Sequence, residues 1–360
     1  MRSESREPLR TVVVGCGGIA RFHLSPLSAL DEFAVVAVAD VQADRAEEAA
    51  SAFGVERVYA DYGEMLRREQ PDVAVITTPS ALHAPMTLEA AEAGVRGVYC
   101  EKPMAVNMRE GRAMVRACRE AGAALAVNHQ RRLAAAFRRM RELIAEGAIG
   151  GLQLLRGYCA GDLLSDATHL VDLIRHLNGD GPVRWVFGQV HRHPVPDAQE
   201  WAARTVRAGR RYGHAIETGA FGVFEFADAV RAEILCGDIR PPGSLYAELE
   251  AVGTEGRLRR PGDQADPPLL MDSGSGWRPV AFDEPAAGRE AHRLLGLDCY
   301  RRFARMVTDG APHPLSGDSA LLDLEIIMAV YESARIRRKV ELPLEQEEFP
   351  LQLMLDAGEL

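Results

Sequence analysis

No apolar stretch in the 360-residue chain approaches the ~20 residues that a membrane-spanning helix requires. The first residues include Arg2, Glu4, Arg6 and Glu7, so the apolar core of a secretory leader is lacking too. These absences set a cytoplasmic protein with no membrane partner as the expectation. Cysteine is sparse. Cys16, Cys100, Cys118, Cys159, Cys236 and Cys299 are scattered with no CxxC pair, which argues against a cysteine zinc site and for reduced, buried thiols. There is no internal repeat and no low-complexity tract. Nor is there an excess of base: the net charge is −10, which argues against a nucleic-acid partner because phosphate binding needs a concentrated basic surface. The local pairs at Arg131 and Arg132, Arg138 and Arg139, Arg210 and Arg211, and Arg337 and Arg338 read as solvated faces.

What remains is ordinary globular material, 47% hydrophobic and 26% charged. The length exceeds what one core usually fills, so two domains are expected, at 1–128 and 129–360. In the first, short apolar runs alternate with amphipathic stretches. Strands are predicted at 11–14, 35–40, 58–59, 73–76, 97–100 and 125–127, and helices at 19–30, 43–53, 62–68, 84–93 and 108–121. Nearly continuous apolar strands in repeated βα units imply a parallel sheet covered on both faces. Right-handed crossovers make that sheet doubly wound. After a bridging helix at 134–146 the strands cluster, at 152–158, 185–190, 221–226, 230–235 and 246–252, with one helix at 164–177. Residues 227–229 read as a hairpin link. Strands grouped in this way predict an α+β domain with a large, mostly antiparallel open sheet. Residues 260–284, rich in Gly, Pro and Asp, read as loop. Helices at 290–309 and 318–337 close the chain and can pack back on the first domain.

Between the first strand and helix stands Gly15-Cys16-Gly17-Gly18-Ile19-Ala20, a G-x-G-x-x-A turn. Gly15 permits the tight turn, Gly17 lets the backbone approach a pyrophosphate, and Ala20 allows close helix–strand packing. The helix N-terminus, from Gly18 and Ile19, supplies amide donors and a favourable dipole. Asp40 ends the second strand, where a carboxylate accepts hydrogen bonds from adenosine ribose hydroxyls. Its alternative role is to cap the helix starting near Ala43. Together these features describe a Rossmann dinucleotide-binding domain. A carboxylate at position 40 repels a 2′-phosphate and favours NAD, while Arg45, one turn on, keeps NADP open.

Three segments taken together point to a family. Glu101-Lys102-Pro103 after the fifth strand, the glycine turn, and Asn128-His129-Gln130-Arg131-Arg132 resemble the Gfo/Idh/MocA family, which includes glucose–fructose oxidoreductase and inositol dehydrogenase. The resemblance runs from residue 11 to 343 and takes in Gly147-Ala148-Ile149-Gly150, residues 168–176 and residues 329–334. It implies a nicotinamide cofactor held by the first domain, with its reactive face toward the second. It also implies that Lys102 is catalytic, near the hydride-transfer centre, with Glu101 beside it at the cofactor. The residues themselves agree. Lys102 follows a strand at the C-terminal edge of a parallel sheet, where such sheets bind ligands. Pro103 biases it toward an extended backbone, and an ammonium can stabilise a developing alkoxide or relay a proton. Further cofactor contacts implied by the family are Thr78, Pro79, Ser80 and His83, in the loop after 73–76, and Asn128. His129 is expected at the substrate. Arg131 or Arg132 either touches substrate or pairs with acidic neighbours.

The resemblance assigns a second catalytic role to His169, within Ser165-Asp166-Ala167-Thr168-His169-Leu170-Val171-Asp172. Imidazole suits proton transfer near neutral pH. His169 and Asp172 lie three apart and hence on one helical face, so Asp172 is expected to orient the ring or hold a substrate hydroxyl. His176 extends that face and reads as a packing residue. Many relatives carry an aspartate four residues before this histidine, where this chain has Ser165, with Asp166 next to it. These two either form a different proton relay or cap the helix. His23 sits on the first helix. His191 and His193 have H-x-H spacing but no acidic or thiol partner nearby in sequence, and no metal is assigned.

The expected activity is interconversion of a secondary alcohol and a ketone on a sugar, deoxysugar, cyclitol or aminocyclitol, with NAD or NADP. Two alternatives stay open: a redox-neutral epimerase or glycoside-cleaving enzyme that uses transient oxidation, and a non-catalytic NAD-sensing protein. An open sheet with one bare face needs a cover, and the family resemblance implies a homodimer or homotetramer. Substrate choice is expected to rest on loops 195–213 and 260–284.

Overall fold

A computed structural model describes residues 7–193, 206–207, 209–241, 246–263 and 265–360. The first stretch runs β1 (Leu9–Val14), α1 (Ala20–Leu27), β2 (Phe33–Ala39), α2 (Ala43–Phe53), β3 (Arg57–Tyr59), α3 (Tyr62–Glu69), β4 (Val73–Ile76), α4 (His83–Glu92), β5 (Gly97–Cys100), α5 (Met108–Ala121) and β6 (Ala124–Val127). Then come α6 (Ala135–Ala145), β7 (Leu152–Cys159), α7 (Thr168–Leu177), β8 (Val183–His191), β9 (Val206–Arg207), β10 (Arg210–Arg211), β11 (His214–Ala215), β12 (Gly219–Phe226) and β13 (Arg231–Gly237). The chain closes with β14 (Glu248–Gly253), β15 (Arg257–Arg260), β16 (Leu270–Asp272), β17 (Arg278–Pro279), α8 (Gly288–Asp309), α9 (Gly317–Ile336), β18 (Val340–Glu341) and α10 (Pro350–Asp356). Among the described residues no helix is long and apolar enough to cross a membrane.

The first compact unit holds residues 7–105, 110–130 and 293–321. Its six strands form one sheet in the order β3-β2-β1-β4-β5-β6, every pair parallel. The order reverses between β1 and β4, which makes the sheet doubly wound and opens a crevice at the strand C-termini. Val12, Val13, Val75, Ile76 and Val98 are fully buried, as strands covered on both faces must be. The division differs from a single cut after residue 128, because the segment 293–321 belongs here. A Cβ on Gly97 would lie 2.5 Å from Val307 and 3.0 Å from Phe303, so the bare glycine seats α8 against β5. Tyr300 of the same helix stacks on Tyr99, with ring centroids 4.8 Å apart.

The second unit, residues 106–109, 131–292 and 322–360, is built on a nine-stranded sheet ordered β17-β16-β15-β14-β7-β13-β12-β8-β18. Only the β7–β13 pair is parallel. The β12–β13 hairpin closes through Ala227-Asp228-Ala229, with Ala229 at φ +70 and the Asp228 carboxylate accepting from the Val230 amide at 3.2 Å. Helix α7 packs on β7 at Gly157, where a Cβ would meet Leu170 at 2.4 Å. Val330 packs over Gly188 and Gly222 in the same way. That face is buried, while the other, alternating along β7, β8, β12 and β13, is half-exposed.

Two predictions of local structure need correction. The helix predicted from residue 164 begins only at Thr168, because Asp162 Oδ1 accepts from the Ser165 amide at 2.7 Å and holds the preceding turn apart. The segment 260–284 is not all loop: β16 pairs antiparallel with β15, and β17 with β16. Its Gly, Pro and Asp content hides two short strands at the sheet's edge. Of the other predicted specificity loop, residues 194–205 and 208 lie outside the described residues, and the rest contributes to a three-stranded ribbon, β11-β10-β9.

Candidate active site

The glycine turn is set by backbone contact. Gly15 has φ +90, and a Cβ there would lie 2.8 Å from the Thr77 carbonyl carbon and the Thr78 nitrogen. Only glycine lets β1 and the β4 loop approach so closely. Gly17 and Gly18 are the reverse case, since a Cβ on either meets nothing within 4 Å. Their bareness leaves open space before α1, whose N-cap, Ile19, makes no side-chain hydrogen bond to the helix amides. An uncapped helix start behind bare glycines suits a pyrophosphate. Asp40, nearly buried after β2, accepts from the Cys16 amide and the Gln42 amide, each at 2.8 Å. It thus ties the turn to the end of β2 instead of capping α2, whose N-cap is Gln42. Each carboxylate oxygen keeps a second lone pair for a ribose hydroxyl. Gly17, Gly18, Arg21, Arg45 and Glu48 line a cleft here between α1 and α2. The residues present therefore fit a dinucleotide. Burial, then the Asp40 charge, pushes the Cys16 thiol up to about 12, so it is no nucleophile.

The corner after β5 rests on a buried network. Glu101 Oε1 accepts from Asn128 Nδ2 at 2.6 Å and faces His23 Nε2 at 2.8 Å. His23 Nδ1 lies 2.7 Å from the Tyr300 hydroxyl, and the Tyr99 hydroxyl donates to Asn128 Oδ1 at 3.0 Å. An Nε2–H donating to Glu101, with the Tyr300 hydroxyl against Nδ1, places a partner on each ring nitrogen. Glu101 Oε2 accepts from the Lys102 amide at 3.1 Å. Burial works to raise the Glu101 carboxyl, but His23, Lys102 and Asn128 outweigh it and hold it at about 2. A buried carboxylate thus fixes the backbone of Lys102 from below while the lysine side chain stays half-exposed.

In the second unit, His169 and Asp172 lie buried on α7. Asp172 Oδ1 takes Arg132 Nε at 2.9 Å and Nη2 at 2.5 Å, and Arg132 Nη1 reaches Asp180 at 3.1 Å. Burial pushes the Asp172 carboxyl up and Arg132 pulls it down; two guanidinium bonds to one oxygen mark the charged form. Arg175 pairs with Asp323 at 2.6 Å. Arg141 donates to His176 Nδ1 at 2.7 Å; burial, then the charges of Arg132 and Arg141, keeps that ring neutral. Ahead of α7, Arg211 pairs with Asp166 and, at 2.9 Å, with Asp162. The Ser165 hydroxyl sits 3.1 Å from His214 Nε2.

Comparison with known proteins follows from this geometry. Residues 9–129 match the sequence model of the GFO_IDH_MocA oxidoreductase family, described by its NAD-binding Rossmann fold. A 1,5-anhydro-D-fructose reductase of Ensifer adhaerens is 32% identical over 62% of this chain and 67% of its own length. The chain belongs to the Gfo/Idh/MocA family. A D-apiose dehydrogenase of Paraburkholderia graminis is 29% identical over 96% of this chain and 93% of its own. The crystal structure of the WlbA dehydrogenase from Bordetella pertussis, in complex with NADH and UDP-GlcNAcA, matches with a TM-score of 0.73. It is 25% identical and covers 94% of this chain and 100% of that one.

Within this family framework several candidate residues take other roles. His83 is buried, with Nδ1 2.7 Å from the Pro103 carbonyl and Nε2 2.9 Å from the Thr78 carbonyl. It bridges the two loops that carry Thr78 and Pro103. Glu101 and Asn128 hydrogen-bond to each other and to their buried neighbours, and Glu101 holds the Lys102 amide. Arg132 is clamped by Asp172 and Asp180, because a buried charge must be paired, and Asp172 meets it through Oδ1. Ser165 and Asp166 do not cap α7, whose N-cap is Ala167; they bond to His214 and Arg211. Pro79 is exposed and Ser80 buried. Thr78 donates through its hydroxyl to Met86 Sδ at 3.5 Å. His191 does have an acidic neighbour: Asp238 Oδ1 lies 2.6 Å from its Nε2, brought there by sheet pairing across Gly219. The sequence reading noted His23 without giving it a role and did not reach Tyr300, and both stand in the buried network behind Lys102. A histidine on the apolar face of α1 was the available signal for the first; nothing local marks the second.

Proposed function

We propose that this chain interconverts a secondary alcohol and a ketone on a sugar or related polyol with NAD as its redox partner. The observation that carries the reading is the Glu101–Lys102 corner, held by a buried hydrogen-bond network at the same C-terminal sheet edge as the glycine turn. When bound, the nicotinamide cofactor takes up or supplies the hydride. The amides of Gly17, Gly18 and Ile19 are assigned to its pyrophosphate, Asp40 to the adenosine ribose, and Thr78 and Pro79 to the loop beside it. Arg45, on the exposed side of α2, is the residue that would answer a 2′-phosphate. Lys102 is the catalytic residue of the first unit, its ammonium stabilising the alkoxide or relaying the hydroxyl proton. His169 is read as an acid–base group of the same reaction and His129 as a substrate contact. Relatives named as a D-apiose dehydrogenase and a 1,5-anhydro-D-fructose reductase support the carbohydrate class.

The half-exposed sheet face carries Tyr158, Leu235 and Phe221 in one cross-strand row and Val223 beside Phe187 in the next. Apolar rows of that breadth are seldom left to water, so this face is read as the seam of a homodimer or of a tetramer of dimers; light scattering showing a monomer would refute it. Six buried free thiols suit the cytoplasm. The decisive experiment is a panel of sugars, inositols and aminocyclitols assayed for NAD and NADP reduction, with Lys102→Met alongside. Reduced nicotinamide formed with one substrate group and lost in the variant supports the reading. No turnover across the panel by protein that binds NAD would overturn it.

A further inference from the structure

Two guanidinium groups in the second unit share a single carboxylate. Arg131, directly after the Asn128–Gln130 segment, and Arg260, at the end of β15, both converge on Asp263 Oδ1, Arg260 Nη2 at 3.5 Å. Each lies over an aromatic ring, Arg131 4.8 Å from the centroid of Tyr246 and Arg260 4.9 Å from that of Phe137. The Arg260 side chain is only 8% exposed and that of Arg131 20%. Three of their buried nitrogens, Arg131 Nε and Arg260 Nε and Nη1, meet no hydrogen-bond acceptor among the described residues. Buried guanidinium N–H groups without acceptors are rare and costly. The charge count repeats the point: among the described residues two cations face one anion, whereas elsewhere in this unit Arg132 and Arg175 are matched by Asp172 and Asp323 and Arg211 by Asp162 and Asp166. Burial and repulsion by Arg131, opposed by Asp263, lower Arg260 to about 10.

We propose that Arg131 and Arg260 form a subsite for an oxyanion, a carboxylate or phosphate carried by the substrate. The inference rests on the reading of this chain as a carbohydrate oxidoreductase and narrows the substrate class to sugar acids or sugar phosphates. The fixed fork of arginine suits both oxyanions, since each can take paired N–H donors in one plane. The Tyr246 and Phe137 rings hold the two guanidinium planes in place, which reduces the ordering cost of binding. Asp263, about one-third exposed at the mouth of the cluster, is the internal anion with which the ligand competes.

The test is calorimetric binding to the full chain in saturating NAD. D-Glucuronate and D-galacturonate form one arm, D-glucose 6-phosphate a second, and neutral D-glucose and D-galactose a third. The expected result is at least tenfold tighter binding of one anionic arm than of the neutral arm. Arg260→Gln should lose that preference, whereas Asp263→Asn should tighten anion binding severalfold by removing the competitor. Equal binding of all three arms by the wild type overturns the proposal, as does an anion preference that survives Arg260→Gln with the fold intact by circular dichroism. If Arg260→Gln does not fold, an anion preference that Asp263→Asn weakens overturns it equally. The two readings fail separately. Neutral sugars oxidised without anion preference leave the oxidoreductase and remove the subsite; anions bound tightly without turnover of any sugar leave the subsite and remove the oxidoreductase.

Discussion

Glu101→Gln isolates the electrostatic part of the corner that carries Lys102. In the folded chain the Glu101 carboxyl is lowered from 4.5 to about 2. Each pKa unit corresponds to about 1.4 kcal/mol, so its ionised form contributes about 3 kcal/mol to folding near neutral pH. The sign follows from the direction: a carboxyl depressed on folding stabilises above its unfolded pKa, and that contribution fades as pH falls from about 4.5 toward 2. Glutamine keeps the shape and can still accept from His23 and Asn128, but its amide group would face the Lys102 N–H, donor to donor. Urea unfolding of cofactor-free protein by circular dichroism, wild type against Glu101→Gln at pH 7, 4 and 2.5, should show a gap of about 3 kcal/mol at pH 7 that mostly closes by pH 2.5. A gap that stays constant over that range would refute the argument, because the charge of Glu101 would then do nothing. A double-mutant cycle with His23→Leu should return a coupling of about 1.5–3 kcal/mol, the range of hydrogen bonds to a charged group.

Three further outcomes follow from the same geometry. Gly15→Ala should destabilise the fold by at least about 2 kcal/mol through positive φ and backbone contact, whereas Gly17→Ala should leave urea stability within about 0.5 kcal/mol and weaken NAD binding about tenfold or more by calorimetry; equal behaviour of the two would contradict the roles given to the turn. Lys102→Met should lower kcat/KM by about 10²–10⁴-fold with NAD affinity nearly unchanged by fluorescence titration, and full retained turnover would remove Lys102 from the chemistry. Arg132→Met should cost about 3–5 kcal/mol of stability, since it leaves Asp172 a buried carboxylate robbed of its guanidinium; a loss below about 1 kcal/mol would show that the pair is not structural.

Much of the fold is visible in the chain's own pattern, and the reasons are local. Runs such as Val73–Ile76 and Gly97–Cys100 are apolar throughout because both faces of a parallel strand are covered, and the glycine turn sits where strand gives way to helix. The hairpin at Ala227-Asp228-Ala229 is likewise a short-range matter of turn chemistry. What escapes is long-range. The closing helices read as able to pack back on the first domain, but that 293–321 is the segment to do so is decided by a bare Gly97 and the Tyr99–Tyr300 stack, just over two hundred residues apart. The strands β16 and β17, of three and two residues, are too short to declare themselves before a neighbour pairs with them. Asp238 is 47 residues from His191 and reaches it only by sheet register.

The site residues divide along the same line, and charge balance explains the division. The resemblance implies Glu101 and Asn128 at the cofactor, helical spacing adds Asp172, and Arg132 stands open between substrate and acidic neighbours, but spacing alone cannot say whether a polar side chain serves a ligand or its neighbours. Burial bears on the matter: Arg132 and Glu101 are buried charges whose polar atoms meet internal partners, whereas Asp172 meets Arg132 through Oδ1 alone. The reading by resemblance is therefore best kept for side chains whose surroundings leave polar atoms open, as at Gly17, Gly18 and Ile19, where the helix amides meet no cap. Arg131 and Arg260 meet that criterion inside the protein, with one carboxylate between two cations and three nitrogens without acceptors. An imbalance of that size is unfavourable for folding alone. It becomes intelligible if a ligand completes it, and the sugar-acid and sugar-phosphate arms of the binding experiment are the place to look for the substrate.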